Sequence, residues 1–97
     1  MKYQVTGIAA KTFKNSKKLQ TVVIPDTVTE IGTGSFEGCK KLKSVTIGKN
    51  VTSIGKNAFK NCKNLKKITV KSTKLKKVGK GALTGINRKC VIKVPKK

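Results

Sequence analysis

Apolar side chains recur along this chain at a fixed step. Val5, Val28 and Val51 stand 23 residues apart, and so do Ile8, Ile31 and Ile54. Phe13, Phe36 and Phe59 keep that step, as do Leu19, Leu42 and Leu65. The series Val22, Val45, Ile68 and Ile24, Ile47, Val70 follow it too, and Cys39 and Cys62 continue a column that starts as Ser16. A fourth, degraded copy comes one residue late, through Leu75, Val78, Leu83, Ile86, Ile92 and Val94. Self-similarity at such a period marks a stacked repeat. The chain therefore divides into about four repeats, at roughly 5–27, 28–50, 51–74 and 75–97, all within a single domain.

Within one repeat the grammar changes twice. "VTEIG" and "KSVTIG" alternate apolar with polar or small residues and are rich in β-branched side chains, which predicts two short strands. Between them, "GSFEGCKKL" spaces Phe36, Cys39 and Leu42 three apart, which predicts a helical turn or short 3₁₀ segment with one buried face. "PDT" at 25–27 and "GKN" at 48–50 supply turn chemistry. Stacking such units makes equivalent strands parallel neighbours roughly 4.8 Å apart. Each apolar column then becomes a ladder, and Phe13, Phe36, Phe59, Cys39, Cys62, Leu19, Leu42 and Leu65 form the expected core.

The segments "VTEIGTGSFEGCKKLKSVTIGKN" and "VTSIGKNAFKNCKNLKKITVKST" resemble the leucine-rich repeats of BspA-like bacterial surface proteins, the type also found in Treponema pallidum. Their Ile-Gly pair, Phe-x-x-Cys-x-x-Leu run and strand columns all match, over residues 5 to about 95. The resemblance implies a right-handed α/β solenoid of 23-residue leucine-rich repeats. It also implies an extracellular or cell-surface origin and an adhesive or scaffolding role. The last repeat departs from the pattern, with Lys89 in the leucine column and Cys90 off register, as expected of a closing repeat. At the other end "MKYQV" opens straight into repeat grammar without a polar cap. That predicts a fragment of a longer array whose Val5/Ile8/Phe13 end supports a weak homodimer.

Charge changes the picture most. Lys and Arg number 24 against 3 Asp and Glu, for a formal net charge of +21, and Arg88 is the sole arginine. Such a field attracts polyanions over a Debye length of about 10 Å. A solvated surface balanced elsewhere in a longer protein has the same composition. Candidate chemistry is sparse. Without histidine there is no Ser-His or Cys-His pair. The acids Asp26, Glu30 and Glu37 read as solvated corner residues, and three cysteines without a C-x-x-C pair suit neither zinc nor a disulfide framework. In-register Cys39 and Cys62 side chains point the same way, which predicts buried, reduced thiols. No catalytic, cofactor or metal residues are assigned. "MKYQVTGIAA" lacks the apolar run of a secretory signal, and no segment approaches the roughly 20 apolar residues of a membrane span.

The expected function is a non-catalytic interaction or scaffold module. Its binding face is the set of positions alternating with the buried ones: Thr21, Ser44 and Lys67 in one column, Val23, Thr46, Thr69 and Lys93 in the next. The expected partners are an anionic glycan, a wall polymer or a host protein. The alternative is sequence-blind polyanion binding, nucleic acid included, through the lysine surface. Specific base recognition is not expected, because one arginine is thin for direct readout and Tyr3 is the one aromatic outside the Phe column.

Overall fold

The computed structural model describes residues 7, 8 and 10–94. Tyr3, Val5 and Pro95, and with them the expected N-terminal dimer contact, lie outside these residues. Eight strands follow one another in chain order: β1 (Gly7–Ile8), β2 (Thr21–Val23), β3 (Glu30–Ile31), β4 (Ser44–Ile47), β5 (Ser53–Ile54), β6 (Lys67–Val70), β7 (Lys77–Val78) and β8 (Val91–Lys93). Odd and even strands separate into two four-stranded parallel sheets, ordered β1-β3-β5-β7 and β2-β4-β6-β8. The first has two-residue strands and the second has strands of three or four; they are termed here the short-strand and long-strand sheets. This is a parallel β-solenoid.

Register follows the sequence step. Val22 pairs with Val45 and Val45 with Ile68, each 23 residues on. Ile68 then pairs with Ile92, and Ile54 with Val78, at a step of 24. The extra residue sits at the corner after β6. There the buried Ser72 hydroxyl donates to the Val51 carbonyl at 2.6 Å and accepts from the Lys74 amide at 3.0 Å, so the longer corner leaves no buried polar atom orphaned.

The expected helical turn is not a helix, and the α component of the α/β assignment is corrected accordingly. Over 33–38 and its equivalents the chain runs through successive tight turns: Ser35 N–H donates to Gly32 O at 3.2 Å, Glu37 to Gly34 at 3.1 Å and Cys39 to Phe36 at 3.3 Å. The intervening amides point along the solenoid axis instead. Phe36 N–H reaches Ala58 O at 2.8 Å, and Gly38 N–H reaches Lys60 O at 2.8 Å. A left-handed residue every fourth position makes this alternation, at Lys11 and Asn15, Gly34 and Gly38, Asn57 and Asn61, then Gly81 and Gly85, all with φ between 60° and 79°. Asn and Gly are the residues that tolerate this region best. A helix cannot pass through it. The three-residue spacing that suggested a helix is the spacing of inward side chains in stacked turns.

The core is a set of ladders. Phe36 and Phe59 stack with centroids 5.3 Å apart and planes 2° from parallel, both buried. Leu42, Leu65, Val45, Ile68, Val28 and Val51 are buried in neighbouring columns. The Cys39 and Cys62 thiols are free and buried, each donating to a carbonyl of the preceding repeat: Phe13 O at 3.1 Å and Phe36 O at 3.0 Å. Phe13 departs from the expectation. It stacks on Phe36 at 5.3 Å but remains 41% exposed, and among the described residues Phe36 is the one ring stacked on it. Leu19 is half-buried at the same end.

The Ile-Gly pair also has a structural cause. A Cβ on Gly55 would lie 2.5 Å from the Thr33 nitrogen and 2.6 Å from the Gly32 carbonyl carbon, and one on Gly79 would strike the Lys56 backbone. Successive repeats touch there backbone to backbone, so neither Gly55 nor Gly79 leaves room for a side chain.

Candidate binding surfaces

The long-strand sheet positions the predicted face. Strand pairing aligns Thr21, Ser44, Lys67 and Val91 as one column and Val23, Thr46, Thr69 and Lys93 as the next. The alternation of strands puts Val22, Val45 and Ile68 inward and these residues outward, where each is exposed or half-buried. All seven predicted residues therefore share one face, and Val91 completes the first column. Ser44 and Thr21 are linked along it, Oγ to Oγ1, at 3.4 Å. The face starts with hydroxyls and an exposed valine and becomes basic towards Lys67 and Lys93.

Asp26 clamps a corner: its Oδ1 accepts from the Lys49 amide at 3.1 Å, and its Oδ2 lies 3.9 Å from the exposed Lys49 ammonium. The Asn50 amide donates to the Asp26 carbonyl at 2.8 Å, and Lys74 Nζ donates to Asn50 Oδ1 at 3.1 Å. Glu30 is exposed on β3. Among the described residues no three His, Cys, Asp or Glu side chains gather to hold a metal. Burial pushes the Cys39 thiol up, and pushes that of Cys62 up to about 12, so both stay protonated and unreactive at neutral pH.

One feature escaped the sequence reading. Between the third repeat and the 85–89 loop lies an open cleft of about 650 Å3, lined by Lys63, Lys66, Ile86, Asn87, Arg88 and Lys89, with Gly85 at its edge. The available signal was the replacement of leucine by Lys89 beside the sole arginine.

Comparison with known proteins agrees with this geometry. The BspA type leucine rich repeat region, a family model of six repeat copies, matches residues 4–97. The chain belongs to this BspA-type leucine-rich repeat family. A solved structure with a similar fold is that of the T. pallidum leucine rich repeat protein TpLRR, at 23% sequence identity and a TM-score of 0.53. The match covers 82% of this chain and 48% of that one, so the BspA-type chain described here corresponds to about half of its structural relative. No curated protein sequence matches. Among the described residues of this BspA-type repeat no helix is long and apolar enough to cross a membrane.

Proposed function

We propose that the chain is a non-catalytic interaction module of a bacterial surface or secreted protein, which meets an anionic partner through the outward face of the long-strand sheet. The partner is a host glycan, a wall polymer or an acidic host protein. The reading is carried by the two in-register columns, an uncovered and rigid array in which hydroxyls give way to lysines along the axis. Membership of a leucine-rich repeat family supports an interaction role, since solenoids present extended surfaces of this kind. Charge supports the partner class: Glu37 is the last acid in the sequence, and 19 of the 24 cations follow it.

The test is retention on immobilised heparin against uncharged dextran. The BspA-type module is expected to be held by heparin near physiological salt, to elute by about 0.5 M, and to pass through dextran. Flow-through on both would overturn the anionic-partner reading. The net charge of +21 favours a second reading, sequence-blind nucleic-acid binding. Two unrelated DNA duplexes would then be bound alike and released together as salt rises. A complex with one duplex that outlasts about 0.5 M salt would overturn the surface-module reading.

A further inference from the structure

The cleft beside the 85–89 loop has a cause, a charge and a size that together specify a ligand class. Its cause is the broken column. Leu42 and Leu65 are fully buried, but the next position is the exposed Lys89, which cannot enter the stack. The 85–89 loop therefore turns Lys89 outward while Ile86 and Cys90 pack against the core, and it is fixed in that path. The Asn87 side-chain oxygen accepts from the Lys89 amide at 2.8 Å, the Cys90 amide donates to Asn87 O at 3.0 Å, and the Val91 amide donates to Lys66 O at 2.8 Å. The cleft is thus built by local turn chemistry and a strand bond.

We propose that this cleft is the seat of an acidic glycan, one charged sugar residue lying between Lys63 and Lys66 on one side and Arg88 and Lys89 on the other. The proposal rests on the anionic-partner reading above and names the ligand and the place. Among the described residues four cations line the cleft and no carboxylate does, so their mutual repulsion is relieved when an anion enters. Arg88 supplies the fork that grips a carboxylate or sulfate by two bonds, and Asn87 a side-chain amide suited to a sugar hydroxyl. The volume falls within the roughly 300–1,000 Å3 of sites that take small ligands. Among the described residues no aromatic side chain lines it, so these residues offer a nucleobase no stacking platform. The 23-residue step sets Lys17, Lys40 and Lys63 in a column leading to the cleft, with Lys18 and Lys41 beside it. A polymer can follow that row at one cation per roughly 4.8 Å rung.

Calorimetry at 150 mM salt with a heparin hexasaccharide and a hyaluronan hexasaccharide separates sulfate from carboxylate recognition; binding of either supports the seat. Arg88→Gln/Lys63→Gln removes two cleft charges. Lys56→Gln/Lys77→Gln removes two exposed charges from the short-strand side, a matched control for the overall field. All four side chains are exposed, so both variants should melt like wild type. The cleft pair should weaken binding of the better probe at least tenfold and the control pair less than threefold. Equal weakening would overturn the cleft while leaving the anionic-partner reading intact. Absence of wild-type binding to both probes would overturn the proposal, and joined to flow-through on heparin it would remove the reading beneath it. A DNA oligonucleotide that binds more tightly than both sugars, and loses as much with the cleft pair, would replace the glycan assignment.

Discussion

The third repeat and the copy after it share a backbone but not an interior. In the third, Phe59, Cys62 and Leu65 are buried beneath the same residue types of the second repeat. In the copy after it their places fall to Leu83 and Ile86, both half-buried, and to the exposed Lys89. Val78, Ile92 and Val94 are between 45% and 68% exposed. Yet the axial bonds continue unchanged: Phe59 N–H reaches Ala82 O at 2.9 Å, Asn61 N–H reaches Thr84 O at 2.8 Å, and Gly79 still packs against the Lys56 backbone. The backbone ladder is therefore separable from the side-chain ladder. The first sets the rung, and the second sets how tightly each rung is held. Where the second fades, the structure opens a polar cleft on one side and a 180 Å3 apolar hollow, walled by Phe59, Leu75, Leu83 and Ile92 among others, on the other.

The largest expected effect tests the side-chain ladder at its strongest point. Phe36→Ala removes a ring stacked on both faces and should cost about 3–5 kcal/mol in chemical denaturation. Phe13→Ala should cost about 1–2 kcal/mol, since part of that ring already meets solvent. Equal losses would erase the distinction between interior and end. The backbone ladder comes next. Gly55→Ala forces two repeats apart and should cost about 2–3 kcal/mol, and Gly79→Ala a similar amount although its repeat is the looser one. A neutral Gly79→Ala would mean that the rungs loosen together with their side chains.

The buried thiols give a smaller, pH-dependent difference. A thiol loses its proton near pH 9 when unfolded, whereas Cys62 keeps it to about 12 and Cys39 is raised in the same direction. Between those values the folded chain holds protons that the unfolded chain has lost. This contribution is complete below pH 9 and disappears as pH rises towards 12. Denaturation at pH 8 and 10.5 should show a fall about 1–2 kcal/mol larger in wild type than in Cys39→Ala/Cys62→Ala. Parallel falls would remove the thiols from the account. The smallest effect is a gain. Leu83→Phe continues the aromatic ladder into the hollow and should stabilise by about 0.5–1 kcal/mol, visible as a raised melting temperature. No gain would mean that the hollow is already closed by its neighbours.

Much of this was legible from spacing. The 23-residue step foretold the strand pairs, and period-two alternation separated Val45 and Ile68 from Ser44 and Lys67. Two features were not. Phe36, Cys39 and Leu42 fit the buried face of a helix as well as that of stacked turns, so spacing alone could not separate them. The deciding sign was the shared Asn and Gly at 15, 38, 61 and 85, a column that asks for left-handed backbone. A Cβ on Gly38 or Gly85 would meet the asparagine amide of the preceding repeat, which is why the two residue types alternate. The cleft was hidden for another reason. Lys89 marks the end of a column, but only the path of the 85–89 loop shows that the ending leaves a space.

The axial direction of the rung-to-rung bonds has a mechanical consequence. Tension along the solenoid loads those bonds end-on, a few at a time, instead of shearing a whole sheet at once. A rung that yields releases about 23 residues, which extend to roughly 75–83 Å from a rise of about 4.8 Å. The neighbouring rung keeps its own bonds meanwhile, because each repeat contacts only the next. Pulled along its axis, such an array is expected to lengthen in steps, with the loosely held rung of Leu83 and Ile86 yielding before the Phe36 and Phe59 rungs.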